Sequence, residues 1–199
     1  MKHWSHTALS DHPEEAWVNG AGLTRTLQVW PDANNWSLRI SVATIETSAP
    51  YSKLPGTQRW HTLLQGRLLL TLPNQTQALD VHSAPFQFDG DWPCDCQLIE
   101  GPAMAFNVML RGAYTARVWR FTASNIAQPF QKQTDTASKI VFAGFYTQTQ
   151  TRVADLQGRH DLPERHWFWY NEPNVAEVLS DLTLQNGQII GVILLRIPS

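Results

Sequence analysis

The stretch PYSKLPGTQRWHTLLQGRLLLTL, residues 50–72, decides the fold. Pro55-Gly56 marks a turn, a polar strand runs on to Gln65, Gly66 breaks it, and an apolar strand follows to Leu72. Strand pairs of this kind build small β-barrels, many of which carry two or three histidines and a carboxylate just before the glycine as metal ligands. Here a single histidine, His61, stands between Arg59 and Gln65. The stretch therefore predicts a barrel wall that lacks a metal-ligand set.

The rest of the chain extends the same pattern. Turn signals recur every 8 to 12 residues or so, among them Asn19-Gly20, Pro31-Asp32, Pro73-Asn74, Asp89-Gly90, Gly101-Pro102 and Asn186-Gly187. Short β-rich runs lie between them. In WSLRISVATI, Trp36, Leu38, Ile40 and Val42 occupy one face, and Ser37, Arg39, Ser41 and Ala43 the other. LLLTL, FNVML, ARVWRF, KIVFAGFY, HWFWYN and GQIIGVILLRI read the same way. Nine tryptophans and eight phenylalanines suit an aromatic sandwich core, or the apolar wall of a pocket. The expectation is an all-β chain with little helix. One short helix is expected near Asp11 to Trp17, with Asp11 as its cap. Residues 122–138 are polar and without apolar period, which predicts a linker or long crossing loop. It divides the chain into a first domain, 1–121, carrying the pocket, and a second, smaller barrel, 122–199, packed on the first.

Bulk properties narrow the function. A chain of 199 residues buries enough surface to fold without a disulfide or a structural metal. A net charge of −2 gives no basic footprint for nucleic acid. No run of eighteen apolar residues suggests a membrane span, and MKHWSHTALSDHPEEAW lacks the apolar region of a secretory signal, so a cytoplasmic location is expected. Cys94 and Cys96 share a strand face about 6.5–7 Å apart, at the limit for a disulfide, and two thiols are too few for zinc. They read as buried strand residues.

Catalytic and metal motifs are missing. No His-x-His or His-Glu-x-x-His pattern occurs, His3 and His6 fall in a terminus expected to fray, and no Gly-x-Ser-x-Gly elbow is present. His160, Glu164 and His166 in RHDLPERH form a weak ligand set. What stands out is polar residues set in apolar strands: Asn19, Thr24 and Arg25; Arg39 and Ser41 on one face; Arg59 and His61 on one face; Asn107 and Arg111. An inward arginine without an acid suits an anionic guest. Periodicity alone leaves equal room for arginines on a solvated face, or paired with Glu46, Asp89 or Asp91.

AWVNGAGLTRTL, WSLRISVATIETSAPYSKLPGTQRWHTLLQGRLLLTL and FQFDGDWPCDCQLIEGPAMAFNVMLRG together resemble the HutD/Ves family of bacterial proteins, associated with histidine utilisation or stress induction. The resemblance covers about residues 16–113. Its motif positions here are Trp17, Asn19, Gly20, Gly22, Thr24 and Arg25, then Arg39 and Ser41, then Pro55, Gly56 and Arg59, then Gly101, Pro102, Phe106, Asn107 and Met109. Val18, Ala21, Thr26, Gln58 and Ala105 depart from it, removing three carboxylates and a lysine. The resemblance implies a double, bicupin-like β-barrel or jelly-roll without metal ligands, no cofactor and no established enzymatic activity. It also implies a role in binding a small anionic metabolite, with a histidine-degradation intermediate such as formylglutamate as a candidate carboxylate.

Four functions follow as expectations. The first is a metal-free carboxylate binder using Asn19, Thr24, Arg25, Arg39, Ser41, Arg59, His61 and Asn107. The second is a metal-independent isomerase or hydrolase in which His61 is the base and Tyr51 the nearby hydroxyl. The third is a protein that acts through a surface, for instance as a homodimer joined at barrel edges. The fourth is a metal site of unusual ligands such as His61 with His82.

Overall fold

The structure, a computed structural model, describes residues 4–122, 139–172 and 174–196. It is nearly all antiparallel strand, as the alternation of apolar and polar residues predicts. By its internal contacts the chain divides into two units, His12–Gly112 and Met1–Asp11 joined with Ala113–Ser199. No helix among the described residues is long and apolar enough to cross a membrane.

Strand β1 (Ser5–Ala8) and a 3-10 turn at Leu9–Asp11 precede the His12–Gly112 unit. That unit contains β2 (Glu15–Ala16), β3 (Gly22–Trp30), β4 (Leu38–Ile45) and β5 (Ala49–Tyr51). It continues with β6 (Gln58–Leu72), β7 (Gln75–Leu79), β8 (Phe86–Asp89) and β9 (Cys94–Leu110). These make one eight-stranded sheet in which β2-β3-β4-β9-β6-β7 are neighbours, β5 pairs with β9 and β8 pairs with β6.

The 15-residue β6 and the 17-residue β9 form the spine of this sheet. The expected break at Gly66 is a bulge inside one continuous strand: the register with β9 shifts between Leu63 and Leu68. Gly66 sits at φ +82°, and a Cβ there would lie 3.0 Å from Ala103. A glycine supplies both the left-handed backbone and the room, so the strand bends without ending. Beyond the bulge Leu68, Leu70 and Leu72 join Ile45, Leu63, Phe88 and Ala105 in a buried core. Cys94 and Cys96 belong to that core as free, buried thiols.

The other unit adds β10 (Tyr114–Thr122), β11 (Lys139–Thr147), β12 (Thr151–Asp155) and β13 (Gly158–Leu162). After these come β14 (His166–Tyr170), α1 (Val175–Ser180), β15 (Thr183–Asn186) and β16 (Gln188–Arg196). A five-stranded sheet runs β1-β14-β11-β16-β10 and a three-stranded one β13-β12-β15. Their core is aromatic, with Trp4, Phe121, Phe145, Phe168 and Tyr170, and α1 contributes Val175 and Leu179.

Local expectations differ from this architecture in three places. β10, expected in the first domain, pairs along its whole length with the final strand, from Tyr114 opposite Arg196 to Thr122 opposite Gln188. The division by contacts therefore falls after Gly112, and β1 lies with the same unit as β10. Of the expected linker, residues 123–138 lie outside the described residues. The helix expected over Asp11 to Trp17 is replaced by the Leu9–Asp11 turn and β2. Asp11 accepts a hydrogen bond from the Ala8 amide at 3.1 Å, so its carboxylate closes the preceding turn and caps nothing after it. His6, expected in a frayed end, is a strand residue opposite Phe168, while His3 lies outside the described residues.

Candidate functional site

Three adjacent strands align the site. Along β4, β9 and β6, Arg39 is opposite Met109 and Met109 opposite Arg59; Ser41 is opposite Asn107 and Asn107 opposite His61. Strand side chains alternate with period two, so these two cross-strand rows face one side of the sheet. On that side they line a cavity of about 270 Å³. The segment from Glu15 to Asn19, with Pro50, Tyr51 and Ser52, completes its wall. Leu38, Ile40 and Phe106, on alternate positions of β4 and β9, are buried and belong to the opposite face.

Hydrogen bonds fix the mouth. The Trp17 indole donates to Thr24 Oγ1 at 2.7 Å, and Asn19 Oδ1 accepts from the Ala21 amide at 3.1 Å. Asn19 Nδ2 reaches the Pro50 carbonyl at 3.4 Å. Glu15 supplies a carboxylate on an exposed residue of the lining, and the remaining charged lining residues are Arg39 and Arg59.

The two arginines line the cavity, and neither forms an ion pair among the described residues. Arg59 is 9% exposed and lies against the rings of Phe88 and Tyr51, at 4.9 and 5.3 Å from their centroids. Its Nη1 donates to the Ser52 carbonyl at 3.2 Å, and among the described residues no carboxylate forms an ion pair with it. Burial lowers its pKa from the usual arginine value, but a guanidinium keeps its proton at any ordinary pH. Arg39 Nη2 donates to Thr26 Oγ1 at 2.9 Å, while its buried Nε has no partner among the described residues.

His61 is 2% exposed. Its Nδ1 lies 2.7 Å from Asn107 Oδ1, and its Nε2 is 3.5 Å from the Tyr51 hydroxyl. Burial pushes its pKa down to about 4, the Asn107 hydrogen bond opposes this, and the Arg59 charge adds to the depression. The imidazole is neutral at pH 7. Tyr51 is buried, which holds its phenol well above the usual value. Burial likewise pushes the Cys94 thiol up to about 11 and raises Cys96, so both remain protonated. The donor set does not fit a divalent cation: two guanidiniums repel it, and one neutral imidazole with the exposed Glu15 carboxylate falls short of the ligands it needs.

Of the residues predicted from sequence, the structure brings Asn19, Thr24, Arg39, Ser41, Arg59, His61 and Asn107 to one cavity. Arg25 is a correction. One residue along β3 from Thr24, it faces the other way, forms an ion pair with Glu14 at 3.0 Å and bonds the His12 carbonyl. Arg111 lies outside the lining; it stacks over Trp36 at 4.0 Å and donates to Thr57. His82 is exposed in the turn after β7 and also lies outside the lining. His160 bonds Asp155 at 2.8 Å, and His166 Nδ1 bonds the Glu164 carbonyl. Among the described residues no three His, Cys, Asp or Glu side chains gather as a metal site. The Ser52 carbonyl was not legible from sequence, since a backbone acceptor leaves no mark on residue type.

These features define a class: an antiparallel β protein with a cavity whose polar rows carry two arginines that form no ion pair among the described residues. A profile of the HutD family matches residues 9–188, and the chain belongs to that family. It is 35% identical to the protein Ves of Escherichia fergusonii over 102 residues, covering 50% of this chain and 53% of that protein. The chain thus spans about half the length of such relatives. HutD of Pseudomonas fluorescens, solved in a formate condition, has a similar structure, with a TM-score of 0.69 at 22% identity over 98% of both chains. The formate complex of Lactobacillus farciminis oxalate decarboxylase is similar at a TM-score of 0.59 and 8% identity, over 98% of this chain and 86% of that one. At these identities the likeness establishes the fold.

Proposed function

We propose that this chain is a metal-free binder of a small anionic metabolite, a carboxylate, in an accessory or regulatory role. The carrying observation is Arg59, buried in the cavity wall with no carboxylate partner among the described residues. Removing a guanidinium from water costs several kcal/mol unless an anion compensates. Arg39 adds a second guanidinium to the cavity lining. The fold neighbours support a bicupin arrangement, and one of them is described as a formate complex, which is a small carboxylate. Histidine-degradation intermediates such as formylglutamate are candidates through the family, and a cytoplasmic setting agrees with such a ligand.

Calorimetry with mono- and dicarboxylates, formylglutamate among them, tests this. At least one acid binds the wild type. Arg59→Ala weakens it about ten- to a hundredfold, as expected for one or two charge-assisted hydrogen bonds. Arg67→Ala, which removes an exposed arginine paired with Glu100, leaves affinity unchanged. No response across the acids, or full affinity in Arg59→Ala, overturns the reading.

A second reading, turnover with His61 as general base, has one observation in its favour: the ring lies in the cavity wall, oriented by Asn107. Its depressed basicity weighs against it. Conversion of an acid that disappears in His61→Asn would establish it.

A further inference from the structure

His61 has a nitrogen whose hydrogen-bonding capacity the protein leaves largely unused. Asn107 Oδ1 only accepts, so the 2.7 Å contact requires the hydrogen on His61 Nδ1. In that orientation the amide Nδ2 faces the Ala105 carbonyl at 3.4 Å, a long contact with the polarity of a donor to an acceptor. Nε2 therefore presents a lone pair. The facing hydroxyl, Tyr51, is 3.5 Å away, beyond the usual 2.5–3.0 Å for an O–H donor, and its single proton also faces Cys96. A buried acceptor so poorly matched is costly when it stays dry. His61 and Tyr51 both line the cavity, so an occupant can reach between them.

We propose, resting on the carboxylate reading above, that the occupant carries an O–H or N–H that donates to His61 Nε2, which makes His61 the specificity-determining residue and Asn107 its positioning residue. The arginine row and the His61 row are neighbours on one face of the sheet, two residues apart along each strand, so one small molecule can face both. The ligand class is a short hydroxylated or N–H-bearing carboxylate. A plain aliphatic acid of the same size satisfies the guanidiniums and leaves Nε2 bare.

Matched ligands test this on the full chain by calorimetry. Malate against succinate and lactate against propionate probe the O–H. N-acetylglycine against levulinate, in which CH2 replaces N–H, probes the N–H. The donor-bearing member of at least one pair binds about tenfold more tightly, the worth of one hydrogen bond. In His61→Leu that ratio falls to one, whatever happens to the affinity common to both members of the pair. In Asn107→Leu, which frees the ring to change tautomer, the ratio falls without an equal loss for the plain acid. Nitrogen-15 NMR of the wild type, which needs no variant to fold, shows the proton on Nδ1. Equal affinities within every pair, with binding still dependent on Arg59, overturn this inference and leave the carboxylate reading standing. A proton found on Nε2 overturns it as well. Absence of binding by any acid overturns both.

Discussion

At the scale of the residue, burial of His61 ties the stability of the fold to pH. Arg59 on its own strand, Tyr51 on β5 and Asn107 on β9 face the ring, and the cavity lining adds Arg39 and the exposed Glu15. The Asn107 hydrogen bond favours the charged imidazole, but burial outweighs it and the Arg59 charge adds to the depression. The folded pKa is about 4 against about 6.5 in an open chain. Between those values the unfolded state binds the proton and the folded state does not, so stability rises with pH. The contribution is full above about pH 6.5 and is lost as pH falls toward 4. Urea unfolding at pH 7 and pH 5 should differ by about 2 kcal/mol from this group. His61→Gln removes that share of the difference; an unchanged pH dependence in the variant would show that the ring titrates normally. The candidate site residues were largely legible at this scale, because period two places Arg39 with Ser41 and Arg59 with His61 once a strand is recognised. Arg25 was misplaced by the same rule left unapplied: it cannot share a face with its neighbour Thr24. The orienting partner Asn107 was legible as a polar break in AFNVML, but its contact with a residue 46 positions away was not.

At the scale of the element, the walls of the cavity depend on close backbone approach. Gly22 opens β3 opposite Ile45, and a Cβ there would lie 2.3 Å from the Thr44 carbonyl oxygen. That oxygen is main chain and cannot rotate away. Gly22→Ala must therefore push β3 off β4, at a cost of at least about 2 kcal/mol. Since Thr24, two residues on, holds the Trp17 indole, the displacement also weakens carboxylate binding. Denaturation midpoints and calorimetry on the one variant check both; a fully stable variant with intact binding would mean that the strands separate freely. Strands were legible wherever alternation ran for five residues or more, as in WSLRISVATI. The helix α1 was not anticipated, although Val175, Leu179 and Leu182 recur at helical spacing, because six residues are too few for periodicity to stand out from the surrounding strands. The turn at Leu9–Asp11 shows the opposite failure. Asp11 followed by Pro13 and Glu14 carries helix-start chemistry, and the competing bond to Ala8 took the carboxylate instead.

At the scale of the whole molecule, each unit has its own core, and one of them is assembled from both ends of the chain. Sequence order could not reveal this. β10 has the same composition as the strands before it, and only its pairing with β16, more than sixty residues later, assigns it to the other unit. Trp4 is the most telling contact of the N-terminal segment. It is 9% exposed, and its ring centroid lies 5.1 Å from that of Phe145 and 5.9 Å from that of Tyr170. Trp4→Ala empties that space, which costs about 3–5 kcal/mol when the surroundings cannot collapse. Because β1 is the edge strand on β14, the loss should appear as faster hydrogen exchange in β14 and β11. The cavity is lined wholly by residues of the His12–Gly112 unit, so exchange in β4, β6 and β9 and the affinity for a carboxylate should remain those of the wild type. Exchange that accelerates equally in both sets of strands, or affinity lost along with it, would show that the binding unit draws its stability from the other and cannot be treated as a separate folding unit.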